Sequence, residues 1–373
     1  MAGFSLEQVA FFNLRRSGLV DRRFRSAEEA ASCHLGVHAQ LLGSAAMALA
    51  ARLPGYDRHA FERDLYERRV LVRVWCMRGT LHLLASADLP LFVRAVMERR
   101  AEEGFAWLAM QGFDTETVRG LHGRMLEALR GRELRRAELH TIVPELEKIP
   151  HPEWGQDVKD LSYLGRIVHS RPQGQEIAFA RVEDWLGGYE ECTLSREEAL
   201  ARIARSYLAA YGPTSAADFA YFLGLDRVGP ARAALEGAPG GVVEVSVEGH
   251  RSCLYLRAED LTDLEESAPD PRHVALLPMF DPLLMAYKDR ERFIAPGRRR
   301  RLLLPGGFVA GTLFVGGRIS GVWRHKKVGG RLRAALSLFE PQPAEVLTHA
   351  EACLRRLAPA LDAAEVTLDV RVG

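Results

Sequence analysis

The sequence predicts an α+β fold in which tandem winged helix-turn-helix units lead into a C-terminal β-barrel. Three observations predict it. Residues 195–262 read as three helices followed by a two-stranded ribbon, the first hundred residues repeat that plan, and the last third switches to short, glycine-rich strands.

Each element has its own signal. Ser5 is placed to cap a helix over 6–16, and Ser26-x-x-Glu29 opens a second. Gly43-Ser44 reads as the cap of AAMALAARL, which stops at Pro54, and a further helix spans 58–69. VLVRVWCM and TLHLLA then read as paired strands around Arg78-Gly79. Helices are expected over 115–130 and 135–147, with IAFARVEDWL as a wing. In the clearest unit, Ser195 with Glu198 starts ALARIARSYLAAY, Gly212-Pro213 stops it, and Ser215 with Asp218 starts ADFAYFL, ended by Gly224. A third helix runs to Gly237, and VVEVSVEGHRSCLYL alternates like a hairpin turning at Glu248-Gly249. HVALLPMF, GGFVAGTLFVGG and RISGVWRH are the barrel strands, closed by a helix over 344–357 and the strand EVTLDVRV. The expected domains are 1–96, 97–190 and 191–265, each a winged helix, and 266–373, the barrel.

Composition narrows the function. At 373 residues, 47% hydrophobic and 27% charged, the chain suits a soluble protein of two to four compact units. The five cysteines are odd in number and form no C-x-x-C pair, which argues against a disulfide framework or a zinc site and fits a reducing cytoplasm. No apolar run is long enough for a membrane span, and no leader is expected. G-x-S-x-G, the P-loop and a strand-linked G-x-G-x-x-G are absent, and the 12 histidines show no ligand spacing. Neither a metal nor an organic cofactor is therefore expected. Net charge is only +1, but cations crowd between Lys288 and Arg333, opposed within that stretch by Asp289 and Glu291 alone. Such a stretch could neutralise phosphates, or be a solvated surface with acids nearby in space.

Several segments together resemble one family. LGVHAQLLGSAAMALAAR (35–52) precedes VRVWCMRGTLHLLASADL (72–89), and AYGPTSAADFAYFLGL (210–225) comes before LLPMFDPLLMAYKDR (276–290) and GTLFVGGRISGVWR (311–324). Their order resembles the AlkZ/YcaQ superfamily of bacterial winged-helix DNA glycosylases. The resemblance implies a C-shaped single chain holding duplex DNA in its concave face. It also implies a catalytic Gln-apolar-Gln or Gln-apolar-Asp tripeptide, which here reads His38-Ala39-Gln40, a histidine variant. The subgroup with the final glutamine is associated with self-resistance to DNA-alkylating antibiotics, some of which crosslink the strands. The implied activity is that of a monofunctional DNA glycosylase excising N7-alkylguanine, working as a monomer on double-stranded DNA and away from membranes.

His38 and Gln40 would diverge on an α-helix but share a face on an extended segment, so 37–42 is expected to be irregular. N7-alkylation leaves guanine cationic and already a good leaving group. What remains is to position water and stabilise an oxocarbenium-like sugar. A neutral His38 can accept a proton from the water or orient it, whereas a protonated one would repel the sugar. Gln40 offers an amide oxygen for the water and an NH₂ for a phosphate. Arg78 is either a phosphate contact or a structural salt bridge. His82 is expected to pack, and Trp323 to belong to the core. Asp281 and Asp289 are either paired carboxylates or bridges between barrel and winged helices, the latter favoured. Arg318, at the Gly316-Gly317 turn, could enter a groove, with Arg324, Lys326 and Lys327 gripping backbone. The rivals are a non-enzymatic winged-helix regulator and a drug-sequestering protein.

Overall fold

The computed structural model describes residues 3–151, 155–174, 176–250 and 253–373. They form a mixed α+β fold in two compact units: residues up to Glu62 together with Ala201–Gly373, and Arg63–Leu200.

In the first unit, Ser5 accepts the Gln8 amide (3.1 Å) at the start of helix Leu6–Arg16, and Ser26 accepts that of Glu29 (3.0 Å) before helix Ala27–Cys33. The next helix differs from expectation. It runs Leu42–Ala50 with Leu41 at its cap and no side-chain cap bond, so Gly43 and Ser44 lie inside its first turn. Gly43 is there for packing: a Cβ at that position would come within 2.9 Å of the Leu361 methyl.

Helices Arg196–Tyr211, Ala216–Leu223 and Val228–Glu236 precede the hairpin Val242–Val247 with Leu254–Arg257. Ser215 and Asp218 close a reciprocal cap, and Gly224 ends that helix in the left-handed region. Arg251 and Ser252 of the expected hairpin lie outside the described residues. The hairpin gains a third, parallel strand from Gly3–Phe4, which buries Phe4 against Val245, Val247 and Leu256. A strand that short carries no periodicity to reveal it.

The C-terminal strands do not close into the expected barrel. They form an open five-stranded sheet in the order Val274–Leu277, Gly311–Val315, Arg318–Val328, Arg331–Leu338, Glu365–Val372. All neighbours are antiparallel except the last pair. The reason lies in the final crossover. A parallel return needs a helix, Ala344–Leu357, which packs against both Val274–Leu277 and Glu365–Val372, so the two edge strands do not meet.

In the second unit, strands run Leu81–Ala85, Leu71–Trp75, Ile167–His169, Ala178–Arg181, Leu134–Arg135. Helices Glu98–Met110, Thr115–Ala128, Arg136–Ile142 and Gln156–Tyr163 accompany them. The expected wing IAFARVEDWL divides into the strand Ala178–Arg181 and the short helix Val182–Leu186, which opens on Glu183 and Asp184 and stops at left-handed Gly187. No helix among the described residues is long and apolar enough to cross a membrane.

Candidate active site

After helix Ala27–Cys33 the chain passes through Leu35 (φ 57°) and Gly36 (φ 102°) and enters the extended pair Val37–His38. The expected irregular segment 37–42 is therefore a two-residue strand, three irregular residues and the first residue of the next helix, and it does not treat its two polar side chains alike. His38 is 5% exposed, Ala39 is fully buried, and Gln40 stands in solvent.

The His38 ring stacks on Phe280, with centroids 4.3 Å apart and planes inclined at 27°. Stacking uses a face of the imidazole, and its two nitrogens project in the ring plane. Phe280 is itself held in place. It adopts φ 60°, a conformation that costs a bulky residue about 1–2 kcal/mol. Its amide donates to Val309 (3.2 Å), and its ring lies 5.1 Å from that of Phe308.

The next residue anchors the turn. Asp281 caps the short helix Pro282–Met285, accepting the Leu283 amide at 3.0 Å. Arg52, just beyond helix Leu42–Ala50, grips the same carboxylate with two hydrogen bonds of 2.8 Å each. Both side chains are buried, at 1% and 0% exposure. Arg52 also donates to Ala48 (2.8 Å) and, through Nε, to His34 Nε2 (3.1 Å). His34 Nδ1 is 2.7 Å from the Ala30 carbonyl, so His34 is the neutral Nδ1–H tautomer. Burial, and then the Arg52 charge, hold its pKa well below the ordinary histidine value. The chain Ala30–His34–Arg52–Asp281 thus fixes the backbone turn that presents Phe280 to His38.

Asp281 and Asp289 do not form a pair. Asp281 belongs to Arg52, whereas Asp289, half-buried, accepts the Glu291 amide at 2.9 Å within its own turn. Sequence reasoning misses the roles of Arg52, His34 and Phe280. Asp281-Pro282 is the available signal, an N-cap residue followed by proline at the first helical position.

The basic stretch separates into different roles. Arg290 and Arg292 are buried in the core: Arg290 donates to Leu284 (2.7 Å), and Arg292 donates to Asn13 (3.1 Å) and Pro213 (2.7 Å) and lies 4.4 Å from the Tyr287 ring. Arg318 turns back onto the carbonyls of Glu291 and Arg292. Lys327 pairs with Asp362 (3.2 Å), and Arg331 with Glu365. Those acids lie beyond the stretch in sequence: strand pairing sets Glu365 opposite Arg331, and Asp362 ends the short helical turn Ala358–Leu361. Arg324 and Lys326 are exposed on one face of their strand, and Lys326 stands opposite Arg333. Among the described residues none of these three has an ion-pair partner. Trp323 is core, donating to the Leu277 carbonyl at 2.7 Å. In the second unit, Arg78 sits at a left-handed position (φ 55°) between two strands, and His82 is buried. Among the described residues no group of three or more His, Cys, Asp or Glu side chains could hold a metal.

Residues 32–360 match the family described as DNA glycosylase AlkZ-like. The chain is 27% identical over 328 residues to the interstrand DNA cross-link repair glycosylase of Streptomyces sahachiroi, covering 86% of this chain and 87% of that one. Its fold superposes on the solved structure of the Streptomyces sahachiroi DNA glycosylase AlkZ with a TM-score of 0.84 at 25% identity, covering 100% of both chains.

Proposed function

The chain belongs to the AlkZ-like DNA glycosylases, and from that premise we propose that it hydrolyses the N-glycosidic bond of N7-alkylguanine in duplex DNA, bulky antibiotic adducts and interstrand crosslinks included. The relative named for cross-link repair supports the crosslink as a substrate. Self-resistance to an alkylating antibiotic is the role we assign to it. The observation that carries the reading is the buried His38 ring stacked on Phe280, two residues from an exposed Gln40.

In the reaction we propose, the lesion supplies the leaving group and the protein supplies geometry. His38 in its neutral form orients the attacking water or takes its proton. The Gln40 amide oxygen holds the same water or faces the positive charge growing on the sugar. The Phe280 platform fixes the imidazole plane, so the in-plane nitrogens are aimed before substrate arrives. We read residues 195–257 as a winged helix, and Arg324, Lys326 and Arg333 as phosphate contacts. The protein is proposed to act as a monomer.

The test is chemical. Duplex DNA carrying N7-alkylguanine is incubated with the protein and treated with alkali, and strand breaks are scored. Breaks at the lesions support the reading. Lesion-bearing DNA that is bound but left unbroken, for monoadducts and crosslinks alike, overturns it.

A further inference from the structure

A cavity of about 100 Å³ lies in the first unit, behind the edge strand Val274–Leu277. That is well above the roughly 10–15 Å³ that one water occupies on the same measure. Its polar lining is Arg22, His273, Cys353 and Arg356, and none of its lining residues is acidic.

The lining is short of acceptors. Arg22 donates from Nη2 to the carbonyls of Ala50 (3.1 Å) and Leu53, but its Nε is buried with no partner among the described residues. His273 Nε2 is buried in the same condition. Among the described residues Arg356 reaches only the Cys353 sulfur, at 2.8 Å, and burial pushes that thiol's pKa up, keeping it neutral. Arg22 and Arg356 are close enough for one guanidinium to disfavour the other's charge, burial being the larger cause. Two cations and an imidazole therefore face one small space without a carboxylate among them. Buried polar groups are normally satisfied, and fixed like charges are stabilised by what binds between them.

We propose that this cavity binds a tetrahedral oxyanion of the phosphate class, either a free phosphate group or a phosphate of the DNA backbone. Arg22 Nε and the Arg356 guanidinium donate charge-assisted hydrogen bonds to it, and His273 Nε2 donates once protonated. Burial holds the His273 pKa below the ordinary histidine value, Asp270 raises it and Arg356 lowers it, so the imidazole takes up its proton with the anion rather than holding one beforehand; the Phe11 ring stands 5.8 Å from it. The cavity's role is independent of the catalytic reading, because no excision step enters it.

The experiment is calorimetric titration of the full chain with inorganic phosphate at constant ionic strength, chloride being the balancing anion. The expected result is a saturable 1:1 isotherm and a raised melting temperature, reproduced by sulfate and not by chloride. Arg356→Gln should weaken it tenfold or more, and so should His273→Gln. Arg356 lies at the exposed rim, so its variant should melt like the wild type without phosphate. Phosphate that displaces undamaged duplex, with Arg356→Gln weakening duplex binding by the same factor, identifies a backbone phosphate. Phosphate and duplex that bind together identify a free phosphate group. No saturable isotherm, or one that both variants leave unchanged, overturns the proposal.

Discussion

Arg52 and Asp281 are 229 positions apart in sequence, yet they meet in two parallel hydrogen bonds of 2.8 Å, out of reach of water. A buried pair of this kind adds little net stability against an apolar substitute. Breaking it is costly, because one charge is left buried alone.

Asp281→Asn should leave the Arg52 charge uncompensated and lower unfolding free energy by about 3–5 kcal/mol. Arg52→Lys keeps the charge but loses the planar fork, and should cost less. Urea denaturation measures both. An Asp281→Asn variant as stable as the wild type would contradict the assignment of this pair as the anchor of the turn.

Phe280 should matter more for rate than for binding. Phe280→Leu keeps a β-carbon at φ 60°, and so the same backbone cost, but removes the ring beneath His38. Removing a ring stack costs about 0.5–1.5 kcal/mol, or about a twofold to tenfold slower single-turnover excision. DNA affinity should hold. Slower excision explained wholly by weaker DNA binding would remove Phe280 from the positioning of His38.

Salt dependence should separate the cations. Lys326→Ala with Arg333→Ala should flatten the plot of log affinity against log salt, by about 0.9 for each phosphate no longer neutralised. Lys327→Ala, whose lysine already pairs with Asp362, should flatten it less. Equal slopes for wild type and double variant would put that sheet face outside the DNA interface.

The second unit should carry a pH-dependent weakness. Burial pushes the Asp160 carboxyl up to about 7. A carboxyl raised in the folded state binds more protons there than in the unfolded chain, so stability falls as pH climbs from about 4 to 7 and then levels off. Asp160→Asn removes that loss. Its advantage in unfolding free energy over the wild type, measured by urea denaturation, should widen across that window, by up to about 1.4 kcal/mol per pH unit, and stay constant above it. An advantage that does not change with pH would mean Asp160 does not titrate in this way.

Local signals are the legible part of this fold. Ser5, Ser26 and the Ser215–Asp218 pair cap the helices that their spacing predicts, because capping is an interaction over three residues. Long-range pairing is not legible. The sequence shows glycine-rich strands before residue 344, but not that a parallel return and its helix leave the sheet open. It shows a run of arginines, but not that Arg290 and Arg292 point into the core while Arg324 and Lys326 face out. At the site, the tripeptide is visible only through family resemblance. The side chains that hold it, Arg52 and Phe280, lie 228 positions apart in sequence, and no local pattern joins them.

In the reaction we propose, His38 and Gln40 share the chemistry. The decisive measurement is single-turnover excision of N7-alkylguanine by His38→Ala and Gln40→Ala, with DNA saturating. Each variant should excise at least about tenfold more slowly, a loss of about 1.4 kcal/mol of transition-state stabilisation, while binding lesion DNA as the wild type does. His38→Gln should keep part of the rate. Wild-type rates from both alanine variants on the same lesion would place the active site elsewhere.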